Sequence, residues 1–141
     1  MEQSKTVLVL RRFWVKSGTF EEFARISSDD IWPGFEHMGA RVQGLYLAET
    51  PDPHPDITQP FDMAILLTAY ASKAHWKATR FPIKAWGEHP VLSRMLEGIA
   101  KRRELTLETA SQFLVPADVV KGGPYFNPFH TDFTDEEFSL G

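Results

Sequence analysis

The 141-residue sequence contains no cysteine. That single absence excludes disulfides, thiolate metal sites and a cysteine nucleophile together. A disulfide-free chain also fits a cytoplasmic location. No apolar run approaches the ~20 residues needed to span a bilayer, so no membrane partner is expected. The start, Met1 to Lys5, is polar and runs straight into a strand pattern, without the signature of a signal peptide. Glycine-rich phosphate loops, nucleophile elbows and dinucleotide fingerprints are missing as well, and no cofactor is expected. A clustered Lys/Arg stripe is also lacking, which argues against nucleic acid, because phosphate neutralisation needs such a footprint.

What is present is ordinary globular material, 43% hydrophobic and 24% charged. At this length one domain is expected, burying roughly two-thirds of the unfolded chain's surface. Charge divides the chain unevenly. Residues 1–115 carry 14 basic and 14 acidic side chains, whereas residues 116–141 carry one lysine and five acids. We expect a domain over 1–116 and a C-terminal aromatic and acidic arm over 117–141, since Phe126, Phe129, Phe133 and Phe138 suit a segment laid over the body.

Thr6 to Val15 reads as a strand with apolar residues on both faces; Val7, Val9, Arg11, Phe13 and Val15 share one, Leu8, Leu10, Arg12 and Trp14 the other. Lys16 to Gly18 turns the chain, and Thr19 with Glu22 has the form of a capping box opening a helix through Ile31. Trp32-Pro33-Gly34 is expected to interrupt that helix, with a short continuation to Gly39. A second strand over 41–49, a stiff loop holding four prolines over 51–60 and a third strand over 61–70 follow. Ser72 is placed to cap a helix, and a break falls at Phe81-Pro82. Pro90 then opens an amphipathic helix with its stripe on Val91, Leu92, Met95, Leu96 and Ile99. A last strand spans 104–114. The basic run Lys101 to Arg103 reads as a helix C-terminus, where the dipole favours cations.

The order is βαββαβ, an α+β, ferredoxin-like domain with a four-stranded antiparallel sheet and helices on one face. Apolar residues on both parities of the first and third strands need cover on the second face as well. A second copy is the expected cover, giving a homodimer.

Leu10 to Phe23, with its Leu-Arg-Arg-Phe start and Lys16-Ser17-Gly18 turn, resembles the first strand and helix of NIPSNAP-type proteins. Trp32 to His37, Gly44-Leu45-Tyr46 and Tyr70-Ala71-Ser72 resemble later segments of the same family, in the same order, over about residues 6–116. The resemblance implies the dimeric α+β barrel fold. That fold is shared with antibiotic-biosynthesis monooxygenases, muconolactone-isomerase-like enzymes, polyketide cyclases and some haem-degrading proteins. It implies a cavity for a small, often aromatic ligand, but no catalytic set to carry over. The proline-rich loop and the tail depart from the family pattern.

Arg11, mid-strand on an apolar face, needs an anion or carboxylate. It reads either as an anchor for a ligand's carboxylate or enolate, or as the structural partner of an acid such as Glu108. Phe13, Trp32, Tyr46 and Tyr70 could line an aromatic or apolar ligand pocket, or simply pack. His37 is the candidate general base, with helix capping as the plainer reading. His75 reads as a helix-surface residue. Asp52, His54 and Asp56 alternate in the proline loop, too stiff to converge on an ion, and no metal is expected. The reading is therefore a small-ligand-binding dimer. The alternative is a cofactor-independent monooxygenase, isomerase or cyclase acting on an aromatic or enolisable substrate.

Overall fold

The computed structural model of the chain describes residues 6–115; the arm expected over 117–141 lies outside them. The elements are β1 (Val7–Lys16), α1 (Phe20–Ile26), a π-helical turn (Ser27–Ile31), α2 (Trp32–His37), β2 (Arg41–Leu47), β3 (Phe61–Tyr70), α3 (Lys73–Thr79), α4 (Pro82–Trp86), α5 (Pro90–Leu105) and β4 (Thr106–Leu114). The four strands form one antiparallel sheet in the order β2-β3-β1-β4. This is the ferredoxin-like arrangement expected from the sequence.

Register explains which face each side chain serves. Val7, Val9, Arg11, Phe13 and Val15 of β1 stand opposite Tyr70, Thr68, Leu66, Ala64 and Asp62 of β3. The apolar members of these rows are buried under the helices. The opposite parity, Leu8, Leu10, Arg12, Trp14, Met63, Ile65 and Leu67, is half-buried on the other face. The proline-rich loop covers one corner of that face, where the His54 ring meets Trp14 edge-on at 4.9 Å. His54 also pairs with Glu108 and accepts the Asp56 N–H at its Nδ1.

Several local expectations are corrected. Thr19 caps nothing with its side chain, because its hydroxyl donates to the Lys16 carbonyl at 2.6 Å instead. The helix does not break at Trp32-Pro33. The π-helical turn absorbs one extra residue, and Pro33 falls in the first turn of α2, where its missing N–H costs no bond. The segment after Pro82 forms the short helix α4, and α5 runs on to Leu105, delaying β4 to Thr106. Ser72 does cap α3, accepting the His75 N–H at 3.0 Å. His75 is not a surface residue. It is fully buried, with Nδ1 accepting the Ala71 N–H at 2.9 Å and Nε2 2.6 Å from the Met38 carbonyl.

The helix layer packs closely. A Cβ added at Gly34 would meet Met95 Cβ at 2.6 Å, and one at Gly98 would meet Asp30 Cβ at 2.8 Å. These two glycines let α2 and the π-helical turn lie against α5.

Candidate functional site

The interior between sheet and helices is divided. One apolar cluster gathers Val7, Val9, Ile31, Phe35, Tyr70 and Leu92; a second gathers Phe13, Val15, Phe23, Ala64 and Leu66. Trp32, Val42 and Leu105 touch both. On β1, Arg11 sits between Val9 of the first cluster and Phe13 of the second. On β3, Thr68 sits likewise between Tyr70 and Leu66. A polar layer therefore crosses the interior at the middle of the sheet.

Two guanidinium groups occupy that layer. The Arg11 guanidinium lies 4.5 Å from the centre of the Phe13 ring, and its Nε is buried with no hydrogen-bond partner. Arg102, only 4% exposed, comes down from α5. It lies 4.7 Å from the Phe13 ring and 5.2 Å from that of Phe23, and donates to Ser27 Oγ at 3.1 Å. The π-helical turn begins at Ser27, and Ser27 in turn donates to the Phe23 carbonyl at 2.8 Å. A π-helical insertion is a frequent mark of functional positions.

Neither arginine has a carboxylate among the described residues. The pairing of Arg11 with Glu108 is excluded by register, since Glu108 stands beside Trp14 on the other face and pairs with His54. Burial lowers the pKa of both guanidiniums. For Arg102, with Arg11 adding repulsion, the fall is to about 9, which leaves it charged at neutral pH. Burial pushes the Tyr70 phenol up to about 12, even though the charge of Arg11, a hydrogen bond with the Thr79 side chain and the charges of Arg80 and Arg102 pull the other way. Tyr70 is thus neutral and lies in the field of three cations, its hydroxyl already hydrogen-bonded with the Thr79 side chain.

The sheet edge formed by β4 beside this layer is exposed. Thr109, Ser111 and Phe113 of β4 share the helix-side face with Arg11 and Phe13, yet all three are exposed. Phe113 meets Trp76 of α3 edge-on at 4.9 Å, Arg80 lies 5.2 Å from the Trp76 ring, and Lys73 lies 5.4 Å from the Phe113 ring. Aromatic rings and two cations thus frame that flank. On the β2 side, Phe20, Ala24, Arg25, Trp32, Val42 and Leu45 line an open groove of about 680 Å³. Trp32 forms its inner wall, with Nε1 buried and unpartnered.

Of the residues singled out in the sequence, Arg11, Phe13 and Tyr70 come together on the helix-side face, and Trp32 bridges the two clusters beside them. Tyr46 does not join them. A register shift between Val42 and Gly44 sends Tyr46 to the opposite face, where it is 56% exposed and folds back over Gly44. His37 is exposed at the end of α2, its ring 4.4 Å from that of His89. Arg102, Ser27 and Thr68 were missed. For Arg102 a signal existed, because Leu92, Met95, Ile99 and Arg102 continue one helical stripe.

No protein-family model matches the sequence, and no curated protein does. Solved structures do match. A NIPSNAP-like domain protein from Burkholderia xenovorans superposes with a TM-score of 0.64 at 16% identity, over 89% of this chain and 95% of that one. A NIPSNAP family protein from Agrobacterium tumefaciens gives 0.61 at 16% identity, over 84% and 99%. This chain has the NIPSNAP-type fold. A further NIPSNAP domain protein from B. xenovorans is 19% identical, with a TM-score of 0.61 over 81% of this chain and 97% of that one. The NIPSNAP-type segments named from the sequence thus fall where the fold has β1 and α1, α2, β2 and the end of β3.

Proposed function

We propose that this chain is one subunit of a homodimeric α+β barrel that binds a small organic ligand between its sheet and its helices. The observation that carries the reading is the buried Arg11 Nε, left without an acceptor in a polar layer that splits an otherwise apolar interior. A buried donor with no acceptor costs its full desolvation, and a ligand atom supplies the missing partner. The aromatic walls, Phe13 and Trp32, suit a flat or apolar body.

Dimerisation is part of the proposal. The half-buried face carrying Leu8, Leu10, Trp14, Met63, Ile65 and Leu67 is largely apolar, interrupted by Arg12, on a sheet whose described helices lie on its other side. A two-fold partner laid against it buries that surface. The domain boundary at residue 116 and a cytoplasmic site of action belong to the same reading. Among the described residues, no helix is long and apolar enough to cross a membrane. An enzymatic version, with an enolisable substrate, has one favouring observation: a neutral Tyr70 phenol in the electrostatic field of Arg11.

The test is native mass spectrometry of the purified chain, with a thermal-shift screen of small aromatic compounds on the same sample. A dimer that Ile65→Lys converts to monomer, together with retained mass or a compound that raises the melting temperature, is the expected result. A wild-type monomer overturns the barrel. A folded dimer of bare mass that no compound stabilises overturns the ligand.

A further inference from the structure

Arg11 and Arg102 pose a problem that the fold alone does not solve. Both guanidiniums approach the same phenyl ring, at 4.5 and 4.7 Å, and the charge of Arg11 acts on Arg102. Buried charges of like sign repel, and each has lost hydration. Ring faces return part of that loss but leave in-plane N–H donors unfilled. Among the described residues the only acceptor that either group meets is Ser27 Oγ. The acids in ion pairs are engaged elsewhere: Glu22 with Arg25, Asp30 with Arg94 and Glu108 with His54. Arg80, on the exposed flank, adds a third positive field. The missing element is negative, and it has to enter from outside the described fold.

We propose that Arg11 and Arg102 together form the receptor for the oxyanion of a small organic acid. The proposal rests on the interior-ligand reading above and names the class of ligand. Planar guanidinium forks match the two oxygens of a carboxylate. Apolar clusters on both sides of the layer favour an organic acid over a bare inorganic anion. Ser27 is a positioning residue: it holds the Arg102 fork from the π-helical turn and need not touch the ligand.

The experiment compares benzoate, benzyl alcohol, acetate and phosphate by calorimetry on the full-length chain, in a buffer whose only anion is chloride. Wild type, Arg11→Met and Arg102→Met are measured, and each is also melted in the same buffer. Saturable benzoate binding, at least about tenfold tighter than benzyl alcohol and lost by at least that factor in both variants, is the expected result. Arg102→Met is expected to melt at or above the wild-type temperature without organic acid, because an uncompensated buried charge has been removed. A purely structural arginine would instead melt lower and leave benzoate binding unchanged, and that pattern overturns the proposal. Phosphate binding without benzoate binding also overturns it. Equal binding of benzoate and benzyl alcohol overturns the oxyanion receptor and leaves the interior ligand standing. Failure of every compound on a folded dimer removes both.

Discussion

Gly34→Ala puts the close contact of α2 with α5 to a quantitative test. In an ordinary helical position, alanine is favoured over glycine by about 0.5–1 kcal/mol, since glycine loses more backbone entropy on folding. Here the new methyl would sit 2.6 Å from Met95 Cβ and 2.6 Å from Met95 Sδ. The sulfur can swing aside, because methionine is flexible. The Cβ cannot, because it is fixed to the α5 backbone, so the helices must separate. Overpacking of this kind costs about 1–3 kcal/mol. The clash outweighs the propensity gain, and a net loss of about 1–2 kcal/mol is expected. For a chain of this size that lowers the melting temperature by about 4–8 °C. Thermal unfolding followed by far-ultraviolet circular dichroism measures it, with a urea titration as a check. Trimming Met95 to alanine in the same background is not expected to restore stability, as the Cβ remains. A Gly34→Ala protein as stable as wild type, or more stable, would refute the reasoning. Because α2 begins with Trp32 and α5 carries Arg102, the same substitution is also expected to weaken the ligand binding proposed for the interior.

Two other outcomes follow from hydrogen bonds on α3. His75 is buried with Nδ1 accepting from Ala71, so Nε2 carries the proton toward Met38 and the ring is neutral; burial lowers its pKa below the usual histidine value. The unfolded chain then binds a proton that the folded one refuses, so stability is full above pH ~6.5 and falls as pH drops below it, by at most about 1.4 kcal/mol per unit. Chemical denaturation between pH 5 and pH 8 checks this, and His75→Gln, which keeps an acceptor and a donor, is expected to flatten the slope. Ser72→Ala removes the cap that receives the His75 N–H, and a loss of about 1 kcal/mol in the same assay is expected, with no change in oligomeric state.

The strands were the most legible part of the chain. Alternation in β1 assigned Arg11 and Phe13 to one face because a half-covered strand repeats every two residues, and the register with β3 has them there. The same rule failed at Tyr46, where a register shift after Val42 inserts a residue and reverses the faces beyond it. Local signals were misleading where a nearby group offered a competing bond: the Thr19 hydroxyl took the Lys16 carbonyl rather than an N–H of its own helix. Arg102 was hidden by its neighbours. Flanked by Lys101 and Arg103, it has the composition of a solvated helix end, and only its phase relative to Leu92 and Met95 marks it as inward-facing. His75 was obscured in the same way by a short helix with small residues, Ala74 and Ala78, on its inner side.

The divided interior has a consequence for how such a scaffold changes over generations. Each apolar cluster closes on its own residues, and among the described residues only Trp32, Val42 and Leu105 span the gap. Substitutions in the layer at positions 11, 68 and 102 therefore leave most of the packing in place, while those inside a cluster do not. Selection can alter the chemistry of the layer with the fold held nearly constant. The same sheet and helices are compatible with sequences only 16–19% identical to this one.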